Sequence, residues 1–396
     1  MNPKNFSAPS AGKVIRTPTG YAAFIPAKLP PTLTYDDHFV LSLSRADAAL
    51  SELSGLGRYL PNPHLLITPY VRREAVLSSR IEGTRASLSD LLIDEMEEPK
   101  QRTEDHDVQE VRNYVAAMEH GLERLHKLPL SLRLVREIHA RLMKGARGDH
   151  ATPGEFRRRQ NWIGPSGSTI ETAPYVPPPP EYLEDLLGDW ERFLHERTTF
   201  PDLVQCALMH EQFEAIHPFL DGNGRLGRLL ITLFLIERGR LPQPLLYLSA
   251  YIEAHRQDYY DLLQRVRTHG DWMGWLRFFI AGVAEIALEA VRQAGHLMDL
   301  REKFRARLRD KPKALALLDE LFLNPYMSVA RAERVLKVSN PTARQAVALL
   351  QKKKMLEEMT GRAWGKLYLA RPIMDTIEVK EKGKQARGHM PTRAAR

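Results

Sequence analysis

Cysteine is nearly absent from this sequence, since Cys206 is the only one among 396 residues. No disulfide can form within the chain, which is typical of proteins from a reducing compartment. Long hydrophobic runs are also missing: apolar stretches such as 233–236 are far shorter than the roughly 20 residues of a membrane-spanning helix. The first twenty residues lack the apolar segment of a secretory signal. The sequence therefore predicts a cytoplasmic protein without a membrane span.

Three common catalytic signatures are missing as well. His210 and Glu211 are followed by His217, which does not reproduce the His-Glu-x-x-His spacing of a helix-borne zinc site. The sequence has no Gly-x-x-x-x-Gly-Lys-Ser/Thr phosphate loop and no Gly-x-Ser-x-Gly nucleophile turn. These absences argue against a zinc protease, a P-loop nucleotide hydrolase and a serine hydrolase of the common type.

The composition that is present is ordinary for a globular protein, with 43% hydrophobic and 27% charged residues. A length of 396 residues suggests two or three domains, because single cores rarely grow beyond roughly 250–300 residues. Lys and Arg number 57 against 49 Asp and Glu, so the net charge of +8 favours anionic partners. Residues 380–396 carry +5 and are expected to form a solvated, mobile tail.

Apolar residues recur every three or four positions through most of the chain from Asp36 onward, which predicts a mainly α-helical fold. The exception is 154–180, where a Gly-Pro-Ser-Gly turn between two strand-compatible stretches predicts a β-hairpin. After Lys311, three shorter helices and two strands are expected, the composition of a winged helix-turn-helix domain. The predicted order begins with an extended lead-in with little core (1–35), a helical N-terminal region (36–125) and a helical core (126–310). The winged helix-turn-helix (311–372) and a basic tail (373–396) follow.

The most informative segment is HPFLDGNGRLGR, residues 217–228. Its Gly-Asn-Gly centre favours a loop, because these residues tolerate positive φ and let another group approach the backbone closely. The loop leads into a helix predicted to begin near Arg225, so free N–H groups and the positive end of the helix dipole meet there. Arg225 and Arg228 share one face of that helix, and each can hold phosphate oxygens through two N–H groups. The segment therefore predicts a polyphosphate site.

Two more side chains of this segment supply chemistry. An unperturbed histidine titrates near pH 6.5, roughly, so His217 suits a general base at neutral pH. Asp221 offers a hard carboxylate oxygen, and Mg²⁺ in phosphate sites usually takes one or two carboxylates together with substrate oxygens. The competing interpretation is a glycine-rich helix start whose histidine only packs in the core.

This segment resembles the signature of the Fic-domain family, HPFx[DE]GNGRxxR, and matches it at every defined position. The resemblance implies that ATP binds here, that a Ser, Thr or Tyr hydroxyl of a protein attacks the α-phosphate, and that AMP is transferred while pyrophosphate leaves. It implies His217 as the base and Asp221 as the ligand of a Mg²⁺ between the α- and β-phosphates. The implied nucleotide contacts are His217, Gly222, Asn223, Gly224, Arg225, Leu226, Gly227 and Arg228, the last at the γ-phosphate.

A second motif, SSRIEG at residues 78–83, is similar to the inhibitory pattern [ST]xxxE[GN] of the same family. The resemblance implies that Glu82 enters the nucleotide site, pairs with Arg228 and takes the place of the γ-phosphate. It also implies that the predicted hairpin is a flap along which the target segment pairs. Tyr260 is the implied adenine contact, and the competing interpretation is that it packs between helices.

The expectation from sequence is therefore a mainly α, Fic-type core with a hairpin flap and a C-terminal winged helix-turn-helix. Its expected activity is transfer of AMP from ATP to a hydroxyl of another protein or of itself, under inhibition by Glu82. One alternative is removal of AMP from a modified protein, in which Glu82 orients a water. Another is a DNA-binding regulator that senses a nucleotide, with Arg344 and lysines 352–354 on DNA phosphates. The target and the choice between monomer and homodimer stay open.

Overall fold

Helices make up most of the protein, as the spacing of its apolar residues predicts. The structure is a computed structural model and describes residues 1–59, 64–97, 102–145, 152–165, 167–362 and 364–378. The chain divides into two compact units, Met1–Ala294 and Gly295–Arg396. Across those described ranges, no helix combines the length and the apolar character that crossing a membrane requires.

The first unit is built from eleven α-helices among its described residues, and the seventh of them lies at its centre. They are α1 (Asp37–Tyr59), α2 (His64–Ile81), α3 (Leu88–Asp94), α4 (His106–Leu125), α5 (Leu132–Leu142), α6 (Leu183–Leu194), α7 (Asp202–Ile216), α8 (Asn223–Glu237), α9 (Ser249–Ala254), α10 (Arg256–His269) and α11 (Trp272–Arg307), which extends past this unit. Every residue of α7 from Leu203 to Ile216 is buried, and α6 and α8 pack against it. Because α7 is enclosed on all sides, it carries apolar residues around its whole circumference rather than along one stripe.

The N-terminal residues form a hairpin, where the sequence predicts an extended lead-in with little core. Strands β1 (Gly12–Arg16) and β2 (Ala22–Pro26) pair in antiparallel register. Phe24 is buried in an apolar cluster with Tyr175 and Val176, and its N–H donates to the Val176 carbonyl at 2.9 Å. The prediction was wrong because the residues that cover this hairpin lie far along the chain, where local sequence does not reveal them.

The predicted β-hairpin over 154–180 is also different in the structure. In its described residues, one antiparallel bridge between Ile163 and Tyr175 takes the place of two strands. The Tyr175 hydroxyl donates to the Ala215 carbonyl at 2.7 Å, which anchors the segment to the end of α7. The proline run 177–180 has no N–H groups for a ladder, so side-chain anchors hold this segment instead.

In the part that the structure describes, the second unit contains four short helices and a small sheet, and the first three of these helices are close to the ones predicted there. Its elements are α12 (Pro312–Leu323), β3 (Tyr326–Ser328), α13 (Val329–Leu336), α14 (Asn340–Lys352), β4 (Glu357–Glu358), β5 (Leu367–Leu369) and α15 (Arg371–Glu378). The antiparallel sheet has the order β3-β5-β4. Helix α15 buries Ile373, Met374 and Ile377, so the predicted mobile tail does not begin at residue 373. The basic stretch 380–396 lies outside the described residues.

Candidate active site

Residues 217–228 form the connection between α7 and α8 and the first turns of α8. His217 follows the end of α7 in the left-handed conformation, with φ of 50°. A non-glycine residue in this conformation costs on the order of 1 kcal/mol, so the surrounding contacts must hold it there. Gly222 has φ of 78°, and a Cβ at this position would lie 2.7 Å from the Met143 Sδ, so the turn requires glycine.

The Asn223 side chain closes the loop from the inside. Its Oδ1 accepts from the Phe219 N–H and its Nδ2 donates to the Phe219 carbonyl, both at 2.9 Å. On the other side, the His139 ring stacks on Phe219, and its Nε2 donates to the Asp221 carbonyl at 3.0 Å. The Gly154 N–H donates to His139 Nδ1 at 2.8 Å, which fixes that tautomer. The Asn223 side chain thus shapes the loop, which leaves its backbone N–H for the predicted phosphate contact.

The start of α8 has the features expected of an anion site. No described side chain caps its first turn, so the first N–H groups of the helix and its positive dipole end are available to a ligand. A Cβ at Gly224 would collide with the Glu82 carboxylate. Glu82 therefore lies directly against the N-terminus of α8, at the position predicted for phosphate.

The contact between Glu82 and Arg228 that the second motif implies is present. Arg228 Nη2 donates to Glu82 Oε1 at 2.7 Å, and Arg228 Nε donates to Ser78 Oγ at 2.9 Å. The Arg228 side chain is 1% exposed, whereas that of Glu82 is 35% exposed. Burial lowers the pKa of Arg228, but the negative charge of Glu82, together with smaller contributions from Tyr259, Tyr260 and Glu214, raises this pKa above its ordinary value. The guanidinium is therefore firmly charged.

His217 is partly buried beside two arginines. Arg157, which is 2% exposed, donates through Nε to the His217 carbonyl at 2.9 Å and so holds the loop backbone. Desolvation, together with the charges of Arg157 and Arg267, lowers the pKa of His217 to about 3, and a hydrogen bond with the Glu214 backbone offsets part of this shift. The imidazole is therefore neutral at pH 7, the state in which it can accept a proton.

Asp221 and Arg225 differ sharply in exposure. The Asp221 side chain is 52% exposed, while that of Arg225 is 4% exposed and donates to Glu110 Oε2 at 3.2 Å. A half-exposed carboxylate beside an anion loop fits Mg²⁺, which takes one or two protein carboxylates and otherwise phosphate and water oxygens. The residues that the structure describes contain no group of three or more His, Cys, Asp or Glu that could hold a metal by itself. Any Mg²⁺ here would depend on nucleotide oxygens.

The two tyrosines near the site have different surroundings. Tyr259 is 1% exposed, and its hydroxyl lies 2.9 Å from His210 Nε2 in the core. Tyr260 is 39% exposed, and the Arg256 guanidinium lies 5.8 Å from its ring centroid. Desolvation, and then the negative charge of Glu82, raise the pKa of Tyr260. Tyr260 is thus the tyrosine with a face open to a ligand.

Sequence analysis missed the buried polar residues that support the loop. Arg157 and His139 hold its backbone, and Glu110 pairs with Arg225. Glu214 is 6% exposed, and burial raises its pKa to about 7. A charged residue on an otherwise apolar helix face could have revealed one of them, because Glu110 lies on the buried side of α4 together with Tyr114.

Two family models match this chain over separate ranges. The model described as Fic/DOC family N-terminal matches residues 40–123, and the model described as Fic/DOC family matches residues 129–235. The first range contains the motif with Glu82, and the second contains the segment 217–228. The two halves of the Glu82–Arg228 ion pair therefore come from different matched domains.

Curated relatives match part of this chain. Protein adenylyltransferase Fic of Aedes aegypti is 34% identical over 165 residues, which are 40% of this chain and 29% of that protein. The protein of the same name in Drosophila melanogaster is 32% identical over 171 residues, 42% of this chain and 30% of that protein. The chain thus spans less than a third of these curated relatives. A crystal structure of a Fic family protein from Desulfovibrio desulfuricans G20 shares the fold, with a TM-score of 0.53, 22% identity, and coverage of 86% of this chain and 98% of that one.

Proposed function

We propose, from the matches of residues 40–123 and 129–235 to the two Fic/DOC family models, that this chain is a protein adenylyltransferase. It would transfer AMP from ATP to a Ser, Thr or Tyr hydroxyl of a protein, including itself. The observation that carries the proposal is the neutral His217 at one end of an anion loop whose other end holds the buried cation Arg228. The buried thiol of Cys206 fits a reducing compartment, so a cytoplasmic location is part of the proposal.

The loop geometry supports one arrangement of ATP. The N–H groups of Asn223 and Gly224 at the start of α8 would hold the phosphates, with the γ-phosphate at Arg228. The Gly222 N–H donates to Asp221 Oδ1 at 2.6 Å, so it would join them only after the Asp221 carboxylate turns away. Asp221 would hold Mg²⁺, which neutralises charge on the departing pyrophosphate. Tyr260 would contact adenine through its open face. Most of the catalysis in such a site comes from positioning and from stabilisation of charge.

His217 would then act as the base. The hydroxyl oxygen of the target forms a bond to the α-phosphorus while the bond from that phosphorus to the bridging oxygen breaks. Pyrophosphate leaves with the electron pair, and the imidazole accepts the hydroxyl proton. Bound phosphates add negative charge beside the ring and so raise the low pKa of His217 toward the range in which a general base works.

Inhibition by Glu82 is part of the proposal. The carboxylate occupies an N–H group of Arg228 and lies against Gly224. A γ-phosphate that approaches Arg228 must therefore displace Glu82, because both anions need the same guanidinium. The resting chain would hold ATP in an unproductive position.

Intact mass spectrometry tests the activity. After incubation of the Glu82→Gly variant with Mg²⁺ and each of the four common nucleoside triphosphates, we expect a gain of one AMP unit with ATP. The variant that also carries His217→Ala is the control and should gain no mass. If the protein removes AMP from a pre-modified protein and incorporates nothing from any triphosphate, its activity is hydrolysis and the proposed transfer is wrong.

The second unit supports a second proposal, DNA binding. Residues 295–396 contain 23 Lys and Arg against 11 Asp and Glu, a net charge of +12, whereas residues 1–294 carry −4. The order of α12, α13, α14 and the sheet supports the predicted winged helix-turn-helix, in which α14 would enter the major groove. On α14, the Arg344 guanidinium lies 5.6 Å from the ring centroid of Trp364, which is 77% exposed.

Charge reversal tests this proposal. Changing Arg344, Lys352, Lys353 and Lys354 to Glu is expected to weaken binding of a random DNA duplex about 100-fold or more in an electrophoretic shift assay, because phosphate contacts dominate such binding. The matched control reverses four exposed cations of the first unit, Lys28, Arg133, Arg158 and Arg192, and should leave binding unchanged. Absence of salt-sensitive binding by the unmodified chain would contradict the proposal.

A further inference from the structure

The two arginines of the anion loop are each paired with a carboxylate from outside the loop. Arg228 pairs with Glu82, and Arg225 donates through Nη1 to Glu110 Oε2 at 3.2 Å. Glu110 lies on α4 and is 8% exposed, and Arg225 is 4% exposed, so this second ion pair is largely removed from water. Loss of one partner of a buried ion pair leaves an uncompensated charge, so each side chain holds the other in place.

Thr84 connects this second pair to the turn that carries Glu82. The Thr84 Oγ1 donates to the same Glu110 oxygen, Oε2, at 2.8 Å, and Thr84 is 5% exposed. A further bond fastens the turn to α4, since the Arg85 N–H donates to Asp107 Oδ2 at 2.7 Å. Thr84 lies two residues after Glu82, so the carboxylate that holds Arg225 also holds the position of Glu82.

We propose that Glu110 is a positioning residue that acts on both arginines: it orients Arg225 toward the phosphates and, through Thr84, fixes the turn from which Glu82 blocks Arg228. The inference rests on the proposed function and deepens the regulation of that site. Arg225 and Arg228 lie in the first two turns of α8, so one buried network from the N-terminal domain restrains both cations. Loss of the Thr84 bond would release Glu82 while Arg225 stays paired.

Thr84→Val tests the connection, because valine keeps the shape of threonine but cannot donate the bond. In the chain that retains Glu82, we expect AMP incorporation to rise about three- to tenfold. In the Glu82→Gly background, we expect a change of no more than roughly twofold, because the inhibitory carboxylate is already gone. Thr268→Val, which removes a buried hydroxyl bonded to the Gln264 carbonyl, is the matched control. An equal effect of Thr84→Val in both backgrounds would mean a merely structural role and overturn the inference.

Glu110→Gln tests the action on Arg225. In the Glu82→Gly background, we expect KM for ATP to rise about fivefold with kcat nearly unchanged, since glutamine still accepts from Thr84 but loses the charge that orients Arg225. A fall in kcat with an unchanged KM would overturn the positioning role. Thermal unfolding of each variant identifies any loss of activity that comes from loss of fold.

Amide hydrogen exchange separates this inference from the proposed activity. We expect faster exchange over residues 79–85 in Thr84→Val than in Thr268→Val, whether or not the protein transfers AMP. Unchanged exchange in that range would overturn the inference. Faster exchange there, without AMP incorporation in any variant, would overturn the proposed function alone.

Discussion

His217→Ala, introduced into the Glu82→Gly variant, is expected to reduce AMP incorporation by roughly 1,000-fold. The alanine removes the group that would accept the proton of the attacking hydroxyl in the proposed reaction. The proposed phosphate contacts would come from the N-terminus of α8 and from Arg228, and neither depends on the imidazole. ATP affinity should therefore change by only about twofold, so the loss appears in kcat rather than in KM. Single-turnover labelling and isothermal titration measure the two effects separately.

The low pKa of His217 sharpens this prediction. Desolvation and the charges of Arg157 and Arg267 keep the ring neutral in the nucleotide-free chain, so the base needs no prior deprotonation near pH 7. His126→Ala, on an exposed histidine at the end of α4, is the matched control and should retain full activity. Turnover that survives His217→Ala would remove the base from the mechanism.

Glu82→Gly is expected to raise AMP incorporation about 10- to 100-fold over the unmodified chain. The glycine removes the carboxylate that accepts from Arg228 at 2.7 Å and lies against the start of α8. Arg228 keeps its bonds to the Ser78 side chain and carbonyl, so the freed guanidinium stays oriented for a γ-phosphate. Labelling with ATP carrying a radioactive α-phosphate, followed over time, measures the effect.

Two controls separate charge from shape in this experiment. Glu82→Gln keeps the size of the side chain but loses its charge, so we expect an intermediate increase in labelling. Glu52→Gly, on an exposed position of α1, should leave labelling at the basal level. Equal labelling of the Glu82→Gly variant and the unmodified chain would show that the ion pair does not restrain the reaction.

Local sequence patterns predicted most of the helices. The spacing of apolar residues predicted α4, α8, α12, α13 and α14 within a few residues. The sequence analysis missed the hairpin of β1 and β2. It predicted a regular hairpin for the segment around Tyr175, which is instead anchored by its side chains. The stability of both comes from contacts such as that of Phe24 with Val176, which join distant parts of the chain.

The segment 217–228 by itself predicts the kind of site, because a Gly-Asn-Gly turn before a helix that carries two arginines has the same local chemistry in any compact fold. The tertiary structure decided the state of that site. It buried Arg225 against Glu110, lowered the pKa of His217, and brought Glu82 onto Arg228 from 146 residues away. Desolvation and ion pairing depend on which residues surround a group in space. Those neighbours come together only when the chain folds, so the local sequence around a group does not reveal them.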